Sequence, residues 1–261
     1  MGGVLMISGP SLFKVFLGSF FIQSSWSFEK MQGLGFAAAI SPALEELYKN
    51  DEKLRKGAYK RQLVFYNAHP YMASPVLGAA IRLEEKGQNG ECPREASASF
   101  KARVMGAYGA IGDSFFWGSI RPLASCIGVL ASLLWGMWGP VAFLIVYNVF
   151  HLLMRWYGLK KGYSLGEGVV SYIKSLELPK WSLRFRYLAS GVLGAASALL
   201  VYKFFSFSLT PFRGAWLWFG GAVIFASMAA IFLNVLLKKG MTVSRLIYLV
   251  LLPLILYGVI Y

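Results

Sequence analysis

VMGAYGAIGDSFFWGSIRPLASCIGVLASLLWGMWGPVAFLIVYNVFHLLM, residues 104–154, carries only two charges in 51 positions, Asp113 and Arg121. At 1.5 Å per residue a single helix of this length would far exceed the roughly 30 Å hydrocarbon layer of a bilayer. Gly106, Gly109, Gly112, Gly118, Pro122, Gly128, Gly136, Gly139 and Pro140 mark where it would be cut. Broken or re-entrant helices are the expectation. Such backbone is tolerated at membrane depth only where protein or a water-filled cavity satisfies its polar groups, and in transporters it commonly forms the substrate site.

The rest of the chain agrees with a membrane solvent. Of 261 residues 57% are hydrophobic, 16% aromatic and only 15% charged, where soluble domains carry about 25% charge. This composition excludes disorder, and two cysteines, Cys92 and Cys126, exclude a disulfide scaffold and are most simply unpaired. Residues 215–237 form 23 positions without a charge, and residues 246–261 continue uncharged, with Lys238, Lys239 and Arg245 between them. The first run is long enough to span, and the second is short unless residues 241–245 add a turn. A weaker segment at 187–202 is followed by Lys203 and an aromatic stretch, and it either spans with interfacial help or lies partly buried. The N-terminal apolar run lacks a basic leader and a cleavage site, so the chain is expected to be retained in full.

The net charge of +14 is unevenly placed. Residues 1–113 hold 13 Lys/Arg against 10 Asp/Glu, net +3, whereas residues 114–261 hold 13 against Glu167 and Glu177 alone, net +11. The later bases sit between apolar runs, which is the pattern of cytoplasmic loops under the positive-inside rule and not of a nucleic-acid groove. The fold class is therefore an all-α integral membrane protein with transmembrane helices plus amphipathic and broken or re-entrant helices. Three regions are expected: an amphipathic-helix region at 1–103, a broken-helix membrane core at 104–178 and C-terminal transmembrane helices at 179–261. In the first, residues 12–22 and 36–47 are amphipathic, the charged run 45–61 forms a solvated helical face or turn, and a loop falls within 82–103.

No P-loop, HExxH, GxSxG or paired-cysteine metal spacing is present, so neither a catalytic residue nor a metal or cofactor is assigned. His69 and His151 have no neighbouring acid or cysteine. His151 is read as helix packing or an interfacial residue against a proton relay, and His69 has polar company in Asn67 and Tyr71. Asp113 and Arg121 are costly in an apolar run unless paired or facing water. Across eight continuous helical steps they would lie about 12 Å apart, so either the chain folds back or each finds another partner. Structural pairing and a substrate or gating role both remain open. Trp26, Glu29 and Gln32, at three-residue spacing, would share one helix side and offer a ring face, a carboxylate and an amide. That set suits a sugar, although an interfacial Trp beside a solvated Glu has the same spacing. Asn67, ahead of Pro70, is either a turn amide or a hydroxyl-reading group.

Four strings together carry a resemblance: QSSWSFEKMQGLGF at 23–36, FYNAHP at 65–70, GAIGDSFFWGSIRP at 109–122 and RWYGLKKGY at 155–163. In order and approximate spacing they resemble the IID membrane subunit of mannose-family sugar phosphotransferase systems, over roughly residues 11–178. The resemblance implies a subunit of the bacterial cytoplasmic membrane, multi-pass, that pairs with a IIC subunit, the pairs forming trimers. A hexose crosses the IIC–IID complex and is phosphorylated by phospho-IIB, charged through IIA, HPr and enzyme I from phosphoenolpyruvate. The phosphohistidines lie on the soluble subunits, so this chain is not catalytic by itself. Carried onto the sequence, Trp26, Glu29, Gln32 and Asn67 face the sugar with His69 near them. Gly109, Gly112 and Pro122 shape a hallmark loop in which Asp113 and Arg121 hold a re-entrant segment or gate. No family role falls on His151, and residues 203–214 are shorter than the polar insertion many relatives carry. The competing reading is a structural or signalling membrane subunit that does not transport. A lipid-acting enzyme is disfavoured because Asp113 is the only aspartate after residue 51.

Overall fold

The computed structural model describes residues 7–207 and, after them, residues 228, 232, 235, 236 and 241. The expected spans at 215–237 and 246–261 lie outside the described residues apart from those few positions, as do Lys238, Lys239 and Arg245. The chain divides into two compact units, Met1–Leu199 and Leu200–Tyr261. The first unit contains most of the last described helix.

The elements are α1 (Gly9–Gly18) with a 3₁₀ turn (Ser19–Phe21), α2 (Gly33–Leu47), α3 (Glu52–Gln62), α4 (Ala73–Gln88) and α5 (Ala96–Gly112). A π-helix (Asp113–Ile120) follows, then α6 (Arg121–Trp135), α7 (Trp138–Leu165), a 3₁₀ turn with α8 (Val169–Ser175), and α9 (Leu178–Phe207). Local chemistry accounts for the ends. Ser8 caps α1 through its hydroxyl, with Pro10 in the first turn, where a missing N–H is harmless. The charged run becomes α3: the Asp51 carboxylate accepts from Leu54 N at 2.8 Å, Glu52 opens the helix, and Lys60 and Arg61 close it. The loop expected within 82–103 falls between α4 and α5, where Gly90 adopts φ +76°.

The all-α class is what the structure shows, and no strand occurs among the described residues beyond two isolated bridges. Two helical stretches, Ala96–Trp135 and Trp138–Lys203, are long and apolar enough to cross a membrane. The interruptions differ from those expected. Gly106, Gly109, Gly112 and Gly118 do not cut the chain, and residues 109–122 are helical throughout instead of forming a loop. The one break within 104–154 is at Gly136, whose φ of +59° turns α6 back onto α7. Glycine lowers helix propensity in water because the freed backbone is hydrated, an alternative that lipid does not offer.

Packing is closest between α4 and α7. A Cβ on Gly78 would overlap Leu159 O, one on Gly162 would overlap Pro75 O, and one on Gly158 would lie 2.8 Å from Pro75 Cγ. Small residues let the two backbones touch, the usual source of helix association where no hydrophobic effect operates. Beside this seam the buried Glu84 collects Tyr48 Oη at 2.7 Å, Arg61 Nη2 at 2.7 Å, Gln62 Nε2 at 2.8 Å and Ser97 Oγ at 2.5 Å. That carboxylate joins the end of α2 to α3, α4 and α5. Lys101 is fully buried, donates to Gln62 O at 2.7 Å and lies 4.4 Å from the Phe36 ring centre. A buried charge of this kind is tolerated because each is hydrogen-bonded or faces a ring.

Candidate functional site

The segment holding Trp26, Glu29 and Gln32 is a turn and not one face of a helix. Met31 N donates to Ser27 O at 2.8 Å and Lys30 N donates to Ser27 Oγ at 3.1 Å, while Met31 itself sits at φ 48°. Serine side chains that bond nearby backbone favour such turns over helix. The helix starts only at Gly33, where a Cβ would lie 2.5 Å from Val64 O.

This turn lies against the 66–68 stretch. Tyr66 N donates to Lys30 O at 3.3 Å, and Gln32 N donates to Tyr66 O at 2.9 Å. The Gln32 side chain is 1% exposed, its Nε2 donating to Ala68 O at 2.8 Å and its Oε1 accepting from Ala68 N at 3.3 Å. Gln32 therefore fixes the backbone on either side of Asn67, which is exposed between buried Tyr66 and buried Ala68. Trp26, at 52% exposure, and Glu29 are also open to the surroundings.

His69 is buried behind that stretch. Its ring stacks on Phe116 with centroids 5.0 Å apart and meets Trp117 at 4.8 Å edge-on. Nδ1 accepts from Tyr71 N at 3.3 Å, and Nε2 is buried without a partner among the described residues. Burial, with the Arg155 charge adding to it, pushes the imidazole pKa down to about 3, so the ring is neutral at ordinary pH. Gly112 packs on it so tightly that a Cβ there would overlap His69 Cβ, and a Cβ on Gly109 would lie 3.7 Å from Ala68 Cα. Gln32, Asn67, His69, Gly109 and Gly112 are thus contiguous. Asp113 and Arg121 are both exposed, at the two edges of the π-helix, and no ion pair joins them.

Two features escaped the sequence reading. The first is the hold on the π-helix. Arg121 N donates to Phe116 O, five residues back. In α register Pro122 would be the donor to Gly118 O, but it has no N–H. Arg186 of α9 takes its place: Nε donates to Gly118 O at 3.2 Å and to Ser119 Oγ at 3.2 Å, and Nη2 to Ser114 Oγ at 2.9 Å. The second is a polar and aromatic cluster around Tyr71. Tyr71 stacks on His151 at 4.7 Å and its hydroxyl lies 2.9 Å from that of Tyr147. Buried Arg155 lies 4.6 Å from the Phe20 ring centre and 5.0 Å from that of Tyr71, and donates to the Ser19 carbonyl and hydroxyl. His151 packs within this cluster and bonds Asn148 Oδ1 at 2.6 Å. Among the described residues no group of three or more His, Cys, Asp or Glu could hold a metal, and Cys92 and Cys126 are free.

These features define a helical membrane protein with a conformationally unusual turn of helix next to an open polar strip. The family described as PTS system mannose/fructose/sorbose family IID component matches residues 7–261, and the chain belongs to that family. It is 37% identical over 182 residues, 69% of this chain, to the PTS system mannose-specific EIID component of Escherichia coli K12. It is 31% identical over 190 residues to the fructose permease IID component of Bacillus subtilis 168, covering 72% of this chain and 69% of that one. The match spans 64% of the length of the Escherichia coli relative. Among solved structures, the mannose transporter ManYZ in complex with microcin E492 aligns with TM-score 0.59 at 36% identity, over 73% of this chain and 70% of that chain. A structure described only as a membrane protein aligns with TM-score 0.69 at 28% identity, over 98% and 96%.

Proposed function

We propose that this chain, paired with a IIC subunit in the bacterial cytoplasmic membrane, forms the path by which a mannose-type hexose enters the cell, the pairs assembling as trimers. Membership of the IID family carries the reading. Phosphorylation falls to the soluble IIA and IIB subunits, and the burial of His69 and His151 supports a chain that carries no phosphoryl group itself. Residues 1–103 supply the sugar-facing strip, residues 104–178 the membrane core with the π-helix, and residues 179–261 the C-terminal transmembrane helices.

In the strip, the Trp26 indole offers a face for the C–H side of a pyranose, and Glu29 and Asn67 offer an acceptor and an amide to its hydroxyls. Gln32 acts through the backbone it holds. Neutral His69 backs the strip, and Asp113 and Arg121 bracket the segment best placed to gate it. Rearranging a π-helix to α register would move residues 114–117 relative to His69 without leaving the helix, which suits a gate. The test is phosphoenolpyruvate-dependent sugar uptake by Glu29→Gln and Asn67→Ala, each expressed with the cognate IIC and soluble subunits. Both lose uptake while membrane insertion is kept; unchanged uptake in both overturns the site.

A further inference from the structure

We propose that the cavity walled by α7, α8, α9 and the π-helix binds an anionic phospholipid, an acyl chain filling the cavity and its phosphate meeting Lys161 and Arg184. The cavity measures about 450 Å³, in the range of small-ligand sites. Phe115, Phe150 and Phe185 form one wall, with ring centroids 5.5–6.4 Å apart, and Trp181 continues it 5.7 Å from Phe185. Leu153 and Tyr172 also line it. Apart from the hydroxyls of Tyr157 and Tyr172 and the indole N–H of Trp181, the side chains of this lining are apolar, which suits a hydrocarbon chain better than a polar solute.

The margin is cationic. Lys161 Nζ lies 5.7 Å from the Tyr172 ring centre and Arg184 Cζ lies 4.8 Å from that of Trp181, and both rings line the cavity. Neither cation has an ion-pair partner among the described residues. The two acids nearest in sequence are engaged elsewhere: Glu167 pairs with Arg103, and Glu177 with Lys180. Glu177 is also the last acidic residue of the sequence, so residues 178–261 supply no side-chain carboxylate for either cation. A bilayer lipid covers apolar walls and answers both charges at once, and basic pockets between helices near the membrane surface are where anionic headgroups bind. This inference rests on membrane placement and is independent of the sugar reading.

The test uses the full chain, stripped of lipid in detergent and offered phosphatidylglycerol or phosphatidylcholine with identical acyl chains, with retained lipid counted by native mass spectrometry. Wild type retains phosphatidylglycerol at least about tenfold more strongly. The double variant Lys161→Gln/Arg184→Gln loses that preference, Lys161→Arg/Arg184→Lys keeps it, and Leu153→Trp, which fills the cavity, weakens retention of both lipids. The charge-keeping variant and matched thermal unfolding separate lost binding from lost fold. Equal retention of the two lipids by wild type, or full selectivity in the Gln double variant, overturns the proposal. So does a photocrosslinker at Leu153 that captures the chain's own C-terminal segment or a protein partner instead of lipid.

Discussion

Replacing Gln32 with Leu keeps the volume and removes both hydrogen bonds that hold Ala68, the 2.8 Å bond to its carbonyl and the 3.3 Å bond from its N–H. Gln32 is 1% exposed and Ala68 6%, so water does not readily replace the lost partners. An unsatisfied buried polar group costs about 1–3 kcal/mol, and two of them set a lower bound of about 2 kcal/mol on the weakening of this segment. At 1.4 kcal/mol per factor of ten, that is roughly a 30-fold rise in the population of locally open states. Hydrogen exchange followed by mass spectrometry on the peptide covering residues 63–70 reads this directly, because the Ala68 amide is one of the released donors. Exchange at that amide should accelerate by about 30-fold or more, with α3 (Glu52–Gln62) unchanged as an internal control. Gln32→Glu should accelerate exchange at least as much, since an ionised carboxylate has no proton to donate to the Ala68 carbonyl and is buried without a counter-charge. An acceleration below about threefold would refute the reasoning. The placement of Asn67 would then rest on the backbone pairing of Tyr66 with Lys30 and Gln32 alone.

Gly112→Ala should destabilise the purified chain by about 1–3 kcal/mol in thermal unfolding, because the new Cβ collides with a histidine held on its other side by Phe116. The roughly 1 kcal/mol gain in helix propensity is too small to offset that collision. Arg186→Ala should cost about 1–2 kcal/mol and speed amide exchange within residues 113–120, and Arg186→Lys should recover only part, since an ammonium cannot serve three acceptors with a planar fork. Stability should also fall as the medium is acidified. The folded pKa of His69 lies below its ordinary 6.5, so its contribution is complete above pH 6.5 and is lost progressively as pH drops towards 3. Comparing melting temperatures at pH 7 and pH 5 should show a smaller drop for His69→Phe than for wild type.

The N-terminal third was the most legible part of the fold because local rules decide it. The amphipathic stretches at 12–22 and 36–47 correspond to α1 with its 3₁₀ turn and to α2, and the charged run resolves into a helix because Asp51 can cap it. The turn at 26–32 was misread because three-residue spacing describes a helix side and a tight turn equally well. What separates them is the contact of Gly33 with Val64, 31 residues away and invisible to any periodicity. The same limit hid the partners of Gln32, Arg155 and Arg186, whose hydrogen bonds reach 36, 136 and 67–72 residues along the chain.

The sequence of 104–154 misleads for a different reason. Counting glycines and prolines as breaks applies a propensity measured in water to backbone that has no water to turn to. What decides that string is which carbonyl each residue leaves without a donor. Pro140 would leave Gly136 O, which accepts from Gly139 N at 3.1 Å in the turn, and Pro122 leaves Gly118 O, which the structure answers with a π-helix on one side and Arg186 on the other. Gly109 and Gly112 have another task, letting the helix lie against Ala68 and His69. Asp113 and Arg121 then need no mutual ion pair to explain their place in an apolar run. They mark the two edges of the π-helical segment. Each is exposed, so its charge is answered by the surroundings and not by the other.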